Sequence, residues 1–118
     1  MAGIVGEKSY KFAIRIYKLF KYLTEKKKEF VLSKQILRSG TSIGANVEEA
    51  LGGQSKKDFI SKLSITYNES RETSYWLRLL KDTDNITLKE YSSIDSDLKE
   101  IQKMLTAILK TSKAKNSN

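Results

Sequence analysis

The side chains of this sequence that could take part in chemistry are lysines, arginines and carboxylates, because the chain contains neither histidine nor cysteine. That composition excludes thiol nucleophiles, disulfides, imidazole or thiolate metal ligands and histidine acid–base catalysis. Glu48, Glu49, Glu69 and Glu72 are candidate metal ligands, but carboxylate-bridged metal sites in helical bundles use Glu-x-x-His pairs. No nucleotide-binding glycine loop or serine nucleophile elbow occurs. The sequence therefore predicts a protein that is not an enzyme and holds no metal and no cofactor.

Basic residues are concentrated at the start of the chain. Of the formal net charge of +8, residues 1–29 supply +5, from eight basic and three acidic residues. A row of cations can neutralise several phosphates and release their counterions, and tyrosines beside it (Tyr10, Tyr17 and Tyr22) could stack on exposed bases. Helical spacing therefore predicts a nucleic-acid-binding stripe, for which a solvated helix face is the alternative. The candidate cations are Lys8, Lys11, Arg15, Lys18, Lys21, Lys26, Lys27 and Lys28.

Apolar residues that recur at steps of three and four predict four helices, over residues 9–27, 30–51, 55–81 and 87–112. Ser9 and Ser55 are the expected N-caps of the first and third helices, and Thr87 with Glu90 matches a capping box. Gly52-Gly53 is expected to end the second helix through left-handed backbone, and polar residues 113–118 are expected to fray. Short connections predict an all-α fold, one antiparallel up-down-up-down four-helix bundle over residues 1–118.

Two features predict contacts between helices and between subunits. Gly40 and Gly44 lie within the second helix, where small residues allow a neighbouring helix to approach closely. Ile65, Trp76 and Leu79 lie on the side of the third helix opposite its core stripe, and exposed apolar patches usually mark an interface. The sequence therefore predicts a homo-oligomer that is assembled around Trp76.

Polar residues accompany the core stripe of the second helix, and they have two interpretations. They could form a binding site, or Arg38 could pair with the carboxylate of Glu49, Glu69 or Glu72 between helices or subunits. Charges that leave water require such partners, so the structural interpretation is favoured. The polar positions are Gln35, Arg38, Ser42, Asn46 and Glu49.

The segment from Gln35 to Ala50 resembles the signature of a bacterial four-helix-bundle family encoded in intervening sequences of 23S ribosomal RNA genes. The family pattern is roughly Q-I-R-R-A-A-x-S-I-x-x-N-I-A-E-G, and the similarity continues through residues 55–59, 71–77 and 101–105. This sequence departs from the pattern at Leu37 and Ala50, and beyond the pattern it has Gln54 where an arginine is common in the family. The positions that match at the family's spacing are Gln35, Arg38, Ser42, Ile43, Asn46 and Glu49.

The resemblance implies an up-down bundle, often a homopentameric ring, with no known enzyme activity. A related bundle is the accessory variability protein of diversity-generating retroelements, a basic pentamer that binds nucleic acid and partners a reverse transcriptase. No apolar run approaches the roughly 20 residues that span a bilayer, and no signal-peptide pattern opens the chain. We therefore expect a cytoplasmic, oligomeric protein that binds nucleic acid, RNA foremost. A protein-interaction scaffold or a reverse-transcriptase partner is the alternative.

Overall fold

Four helices account for most of residues 2–116, the part of the chain that the computed structural model describes. They are α1 (Ala2–Glu25), α2 (Leu32–Leu51), α3 (Lys56–Asp82) and α4 (Leu88–Asn116). Within those residues there is no strand, so the predicted all-α class is confirmed. Each helix packs against the two that are next to it in a closed ring of four, with α4 returning to α1.

Side-chain contacts show that neighbouring helices run antiparallel. Along the seam between α2 and α3, Ser39 meets Thr73, whereas Glu49, farther along α2, meets Lys62, which comes earlier in α3. The same crossing order holds between α1 and α4, where Lys8 pairs with Glu100 and Arg15 with Asp97. The predicted up-down four-helix bundle is therefore confirmed.

The core is a continuous apolar cluster to which all four helices contribute. The recurring three-and-four spacing places these side chains inward, and burial of each large one contributes about 1.5–3 kcal/mol before entropy is counted. Ile86, in the α3–α4 connection, closes one end of the cluster. The buried apolar residues are Val5, Phe12, Ile16, Leu19, Leu23, Ile36, Ile43, Val47, Ala50, Leu63, Leu77, Leu80, Ile86, Ile94, Leu98, Ile101, Leu105, Ile108 and Leu109.

A layer of buried hydroxyls interrupts the apolar core on the α3 side. The hydroxyls of Ser39 and Thr73 are hydrogen bonded across the α2/α3 seam at 2.9 Å, and Thr73 also donates to the Glu69 carbonyl at 2.8 Å. Ser70 donates to the Tyr67 carbonyl at 2.6 Å. These buried groups thus have the partners that burial demands.

Glycines in α2 bring it close to α1, as predicted. A Cβ atom on Gly40 would lie 2.8 Å from Ile16 Cγ1, and one on Gly44 would lie 3.3 Å from the Ser9 carbonyl oxygen. No larger residue fits at Gly40 without movement of its neighbour. Each glycine costs about 1 kcal/mol of helix propensity, and the close packing of α2 against α1 offsets this cost.

The start of α1 differs from the prediction. The helix begins at Ala2 rather than at Ser9, and Ser9 lies in mid-helix, fully buried, with a hydroxyl oxygen that has no hydrogen-bond partner among the described residues. Val5 explains the extension, because it is buried and continues the core stripe by one turn toward the N-terminus. Gly6 faces Leu51 of α2 at close range, so the glycine supports packing rather than a break in the helix.

The ends of α2 also correct the prediction. Gly52 has φ −90°, and no glycine among residues 2–116 has positive φ, so Gly52-Gly53 does not supply left-handed backbone. The positive φ values fall at Lys28 (55°) and Asp84 (61°), in the other two connections. At its start, α2 begins at Leu32 rather than residue 30. The Glu29 carboxylate there accepts from the Leu32 and Ser33 amides at 3.0 and 2.7 Å.

The predicted caps of α3 and α4 are confirmed. Ser55 accepts from the Asp58 amide at 3.0 Å. Thr87 and Glu90 form the reciprocal capping box, at 3.1 and 2.8 Å. The far end of α4 is a correction, because the helix continues past residue 112 to Asn116; no glycine or proline interrupts that segment. The last two residues of the segment expected to fray, 117 and 118, lie outside the described residues.

Candidate functional site

The N-terminal half of the predicted basic stripe borders α4, and acidic residues meet it there. Lys8 Nζ lies 2.6 Å from Glu100 Oε1, and Arg15 Nη1 lies 2.7 Å from Asp97 Oδ2. Arg15 also donates to the carbonyl and the hydroxyl of Ser93. These two cations thus bridge the α1/α4 seam, and most of their charge is compensated locally.

Other cations of the stripe have acidic partners on α1 itself. Lys11 pairs with Glu7 at 3.1 Å, and Lys21 pairs with Glu25 at 2.7 Å, each one helical turn apart. The hydrogen bond and charge of Lys21 lower the pKa of Glu25, and the same contact raises the pKa of Lys21. Glu100 raises the pKa of Lys8 in the same way. All these pairs are solvent-exposed, so each is worth little to stability.

The cations of the stripe that lack an acidic partner in the described part of the chain lie in the C-terminal part of α1 and in the turn after it, because α1 ends at Glu25 and not at residue 27 as predicted. Among residues 2–116, Lys18, Lys26, Lys27 and Lys28 have no carboxylate within 4.0 Å. All four side chains are exposed. We call Lys26, Lys27 and Lys28 the corner cluster, since they occupy the turn where the chain leaves α1 for α2. Three adjacent cations at an exposed turn create a local positive potential.

Two of the three tyrosines considered for base stacking are available to a partner. Tyr10 is 69% exposed and Tyr17 is 52% exposed on the outer face of α1. Tyr22 is instead half-buried against the core and lines the groove between α1 and α4. Stacking is therefore possible for Tyr10 and Tyr17 but not for the ring of Tyr22 in this arrangement.

Arg38 holds two carboxylates of α3 together on the bundle surface. Its guanidinium donates to Glu69 at 3.3 Å and also to Glu72. Glu72 accepts a further hydrogen bond from Trp76 Nε1 at 2.9 Å. The cluster links α2 to α3 and carries one net negative charge, an arrangement that favours the structural interpretation of Arg38.

The other polar positions of α2 are distributed between local and interhelical contacts. Ser42 donates to the Ser39 carbonyl and Asn46 donates to the Ser42 carbonyl, both at 2.9 Å, which are bonds within α2. Glu49 pairs with Lys62 of α3 at 3.2 Å. Gln35 is exposed. The signature positions thus do not converge on one pocket.

The apolar positions on the outer side of α3 form a partly exposed face. Ile65 is 42% exposed, while Trp76 and Leu79 are half-buried, with Trp76 packed partly against the core. Tyr75, which sequence reasoning did not select, is also exposed and makes an edge-to-face contact with Trp76 at 5.0 Å between ring centroids. The Arg38–Glu69–Glu72 cluster lies in the middle of this face, which we call the outer α3 face.

A groove between α3 and α4 was also missed from the sequence. Its volume is about 480 Å³. The lining residues are spaced by three, four or seven along each helix. This spacing identifies one face of each helix but does not show that the two faces meet. The lining residues are Tyr67, Arg71, Ser74 and Arg78 of α3 and Tyr91, Asp95, Lys99 and Gln102 of α4.

Residues 2–116 contain neither a cluster of side chains that could hold a metal ion nor a helix that could span a membrane. No group of three or more Asp or Glu side chains in that range is arranged to hold a metal ion, and Glu69 and Glu72 bind Arg38 instead. None of the helices in the same range is both long and apolar enough to span a bilayer.

Comparisons with known proteins identify relatives over nearly the whole bundle. The sequence profile of the 23S rRNA-intervening sequence protein family matches residues 3–107. A solved structure from Bacteroides thetaiotaomicron, described as a protein of unknown function from the S23 ribosomal protein family, is 54% identical with a TM-score of 0.91. The match covers 92% of this chain and 97% of that one. Among curated proteins, no sequence matches. The resemblance predicted from α2 is thus confirmed, and the chain belongs to the 23S rRNA-intervening sequence protein family.

Proposed function

We propose that this protein is a non-enzymatic, oligomeric, cytoplasmic helical-bundle protein that binds nucleic acid, RNA foremost, through the exposed cations of α1 and of the turn that follows it. The observation that carries the proposal is the corner cluster with Lys18, because these four exposed lysines lack carboxylate partners among residues 2–116. Exposed Tyr10 and Tyr17 lie on the same helix and offer ring faces for stacking.

The ion-paired cations of the stripe contribute less to this binding. A phosphate that approaches Lys8 or Arg15 has to displace Glu100 or Asp97, and the displaced carboxylate then repels it. The effective positive charge is therefore greatest at the C-terminal end of α1. Binding is expected to be governed by phosphate contacts and counterion release, with steep salt dependence and little sequence preference.

Two adjacent lysine pairs allow a charge-matched test. Lys26→Gln/Lys27→Gln removes two charges from the corner cluster, and Lys56→Gln/Lys57→Gln removes two exposed charges at the start of α3. Fluorescence anisotropy of a labelled single-stranded RNA is measured against salt for both variants and the wild type. Loss of two phosphate contacts reduces the slope of log K against log salt by about 1.4, at about 0.7 per contact. The Lys56/Lys57 variant should retain the wild-type slope.

Two results would overturn this proposal. If wild-type protein shows no salt-sensitive binding to RNA or DNA at low ionic strength, the protein functions instead as a protein-interaction scaffold or as a partner of a reverse transcriptase. If both double variants weaken binding equally, the charge acts through the whole surface and not through the corner cluster.

The oligomeric part of the proposal rests on the outer α3 face. Ile65 and Ile14 are matched probes, because both are exposed isoleucines within helices, at 42% and 43%. Ile65→Asp should lower the mass measured by light scattering at micromolar concentration, since a carboxylate would be buried beside the acidic cluster. Ile14→Asp should leave the mass unchanged. A monomeric wild type, or dissociation by Ile14→Asp alone, would contradict assembly through this face.

A further inference from the structure

The groove between α3 and α4 combines cations without carboxylate partners and a buried acceptor without a donor. Arg71 and Arg78 are exposed on α3, and neither has a carboxylate within 4.0 Å among the described residues. Arg78 instead lies over the Tyr75 ring, 5.8 Å from its centroid. In the α1/α4 seam, by contrast, Asp97 and Glu100 form ion pairs with Arg15 and Lys8.

The α4 wall of the groove carries one acid among these cations. Asp95 is mostly buried, with a 17% exposed side chain, and its Oδ1 has no hydrogen-bond donor among residues 2–116. Lys99 Nζ lies 3.6 Å from Oδ1 and balances the charge of Asp95. A ligand that brings an N–H or O–H group to the Asp95 carboxylate would supply the hydrogen bond that Lys99 does not make.

The chemistry of the groove narrows the class of ligand. The two arginines favour an anion and can bind phosphate oxygens in a bidentate manner, and the Asp95 carboxylate favours a ligand that also carries an N–H or O–H donor. Tyr67 and Tyr91 are half-buried and bring two aromatic rings to a lining that is otherwise polar, and Lys81 Nζ lies 4.4 Å from the centroid of the Tyr91 ring. The volume of about 480 Å³ lies within the usual range for small-ligand sites. A nucleotide combines a phosphate, hydroxyl and amino donors and a flat apolar base.

We propose that the α3/α4 groove holds one nucleotide of a single-stranded nucleic acid, with the two phosphates that flank it on Arg71 and Arg78 and an N–H or O–H group donating to the Asp95 carboxylate. This inference rests on the proposed function and adds a second contact surface to it. Duplexes keep their bases stacked and paired, whereas a single strand can turn one base into a groove. The site therefore confers a preference for single strands that the α1 cations alone would not give.

The test compares Arg71→Gln/Arg78→Gln with Lys56→Gln/Lys57→Gln, which removes the same charge from another part of α3. Both arginines are exposed, so the variant should fold, which circular dichroism checks. Affinity for a 12-nucleotide RNA is expected to fall roughly tenfold or more, and that for a blunt duplex much less, because charged hydrogen bonds to one unstacked nucleotide are lost. The control should match the wild type on both ligands.

A second measurement locates the contact independently of affinity. In amide-detected NMR of the wild-type protein, the single strand should shift the signals of Ser74, Lys99 and Gln102, which line the groove. If inorganic phosphate at the same concentration reproduces those shifts, the groove is a simple anion site and the nucleotide assignment is wrong.

The outcomes separate the two proposals. Absence of wild-type binding to RNA and DNA defeats the proposed function and the groove together. Wild-type binding with an Arg71/Arg78 variant that keeps full affinity and single-strand preference defeats the groove alone.

Discussion

Replacement of Gly40 by alanine tests the close contact between α1 and α2 on which the bundle depends. The new Cβ would lie 2.8 Å from Ile16 Cγ1 and 2.9 Å from Ile16 Cγ2. Ile16 is fully buried, and a β-branched side chain in a helix has one strongly preferred rotamer, so it cannot turn away. The two helices would have to separate by several tenths of an ångström.

The expected magnitude follows from two opposing effects. Overpacking of a well-packed core costs about 1–3 kcal/mol, while alanine gains about 1 kcal/mol over glycine in helix propensity. Gly40→Ala should therefore reduce the free energy of unfolding by up to about 2 kcal/mol. Urea denaturation followed by circular dichroism, at one fixed protein concentration, measures the change through the transition midpoint.

A control and a double-mutant cycle make this prediction specific. A Cβ on Gly3 would meet nothing within 4 Å, so Gly3→Ala should not destabilise the protein. Ile16→Ala alone should cost about 2–5 kcal/mol. In that background the two Cγ atoms are gone and only the Cβ of residue 16, at 3.3 Å, remains close, so Gly40→Ala should cost much less than in the wild type. If Gly40→Ala stabilises the wild type, or if the two substitutions are additive, the contact is not the reason for the glycine.

Two further predictions concern the hydroxyl layer and the α1 ion pairs. Thr73→Val should cost about 1–3 kcal/mol in chemical denaturation because it leaves the buried Ser39 hydroxyl without its partner, and adding Ser39→Ala should recover much of that loss. In a carboxyl NMR titration, the pKa of Glu25 should lie below its ordinary value of 4.5 and return toward it in Lys21→Gln. Since folding lowers this pKa, the pair stabilises the protein above the unfolded-state pKa, and that contribution is lost as pH falls through the folded-state value.

The fold could be predicted from the sequence because its dominant signal is local. Helical periodicity identified the inner faces of all four helices, and the capping residues of α3 and α4 act within one turn of the backbone. The predictions were wrong at positions whose conformation depends on tertiary packing. Ser9 has the type of an N-cap, but burial of Val5 against the other helices extends α1 past it. Gly52 permits left-handed backbone, yet nothing compels the residue to adopt it.

The candidate sites were less predictable, because their character depends on which helices meet. The cations of α1 can be counted from the sequence, but the partner of Arg15 is Asp97, 82 residues away. Whether a lysine row is free or compensated follows from the docking of α4 against α1. The same holds for the α3/α4 groove, where Arg71 and Asp95 come from different helices and acquire a common role only when the bundle closes.

The paired hydroxyls of Ser39 and Thr73 also restrict sliding of α2 along α3. In a seam of hydrocarbon alone, displacement by one turn, about 5.4 Å, would leave no buried polar group without a partner. Such a displacement toward the end of α3 would place Ser39 against Leu77, and the Ser39 hydroxyl would lose its hydrogen-bond partner. The seam therefore has one preferred alignment, which fixes the height along the bundle at which Arg38 meets Glu69 and Glu72 on the surface.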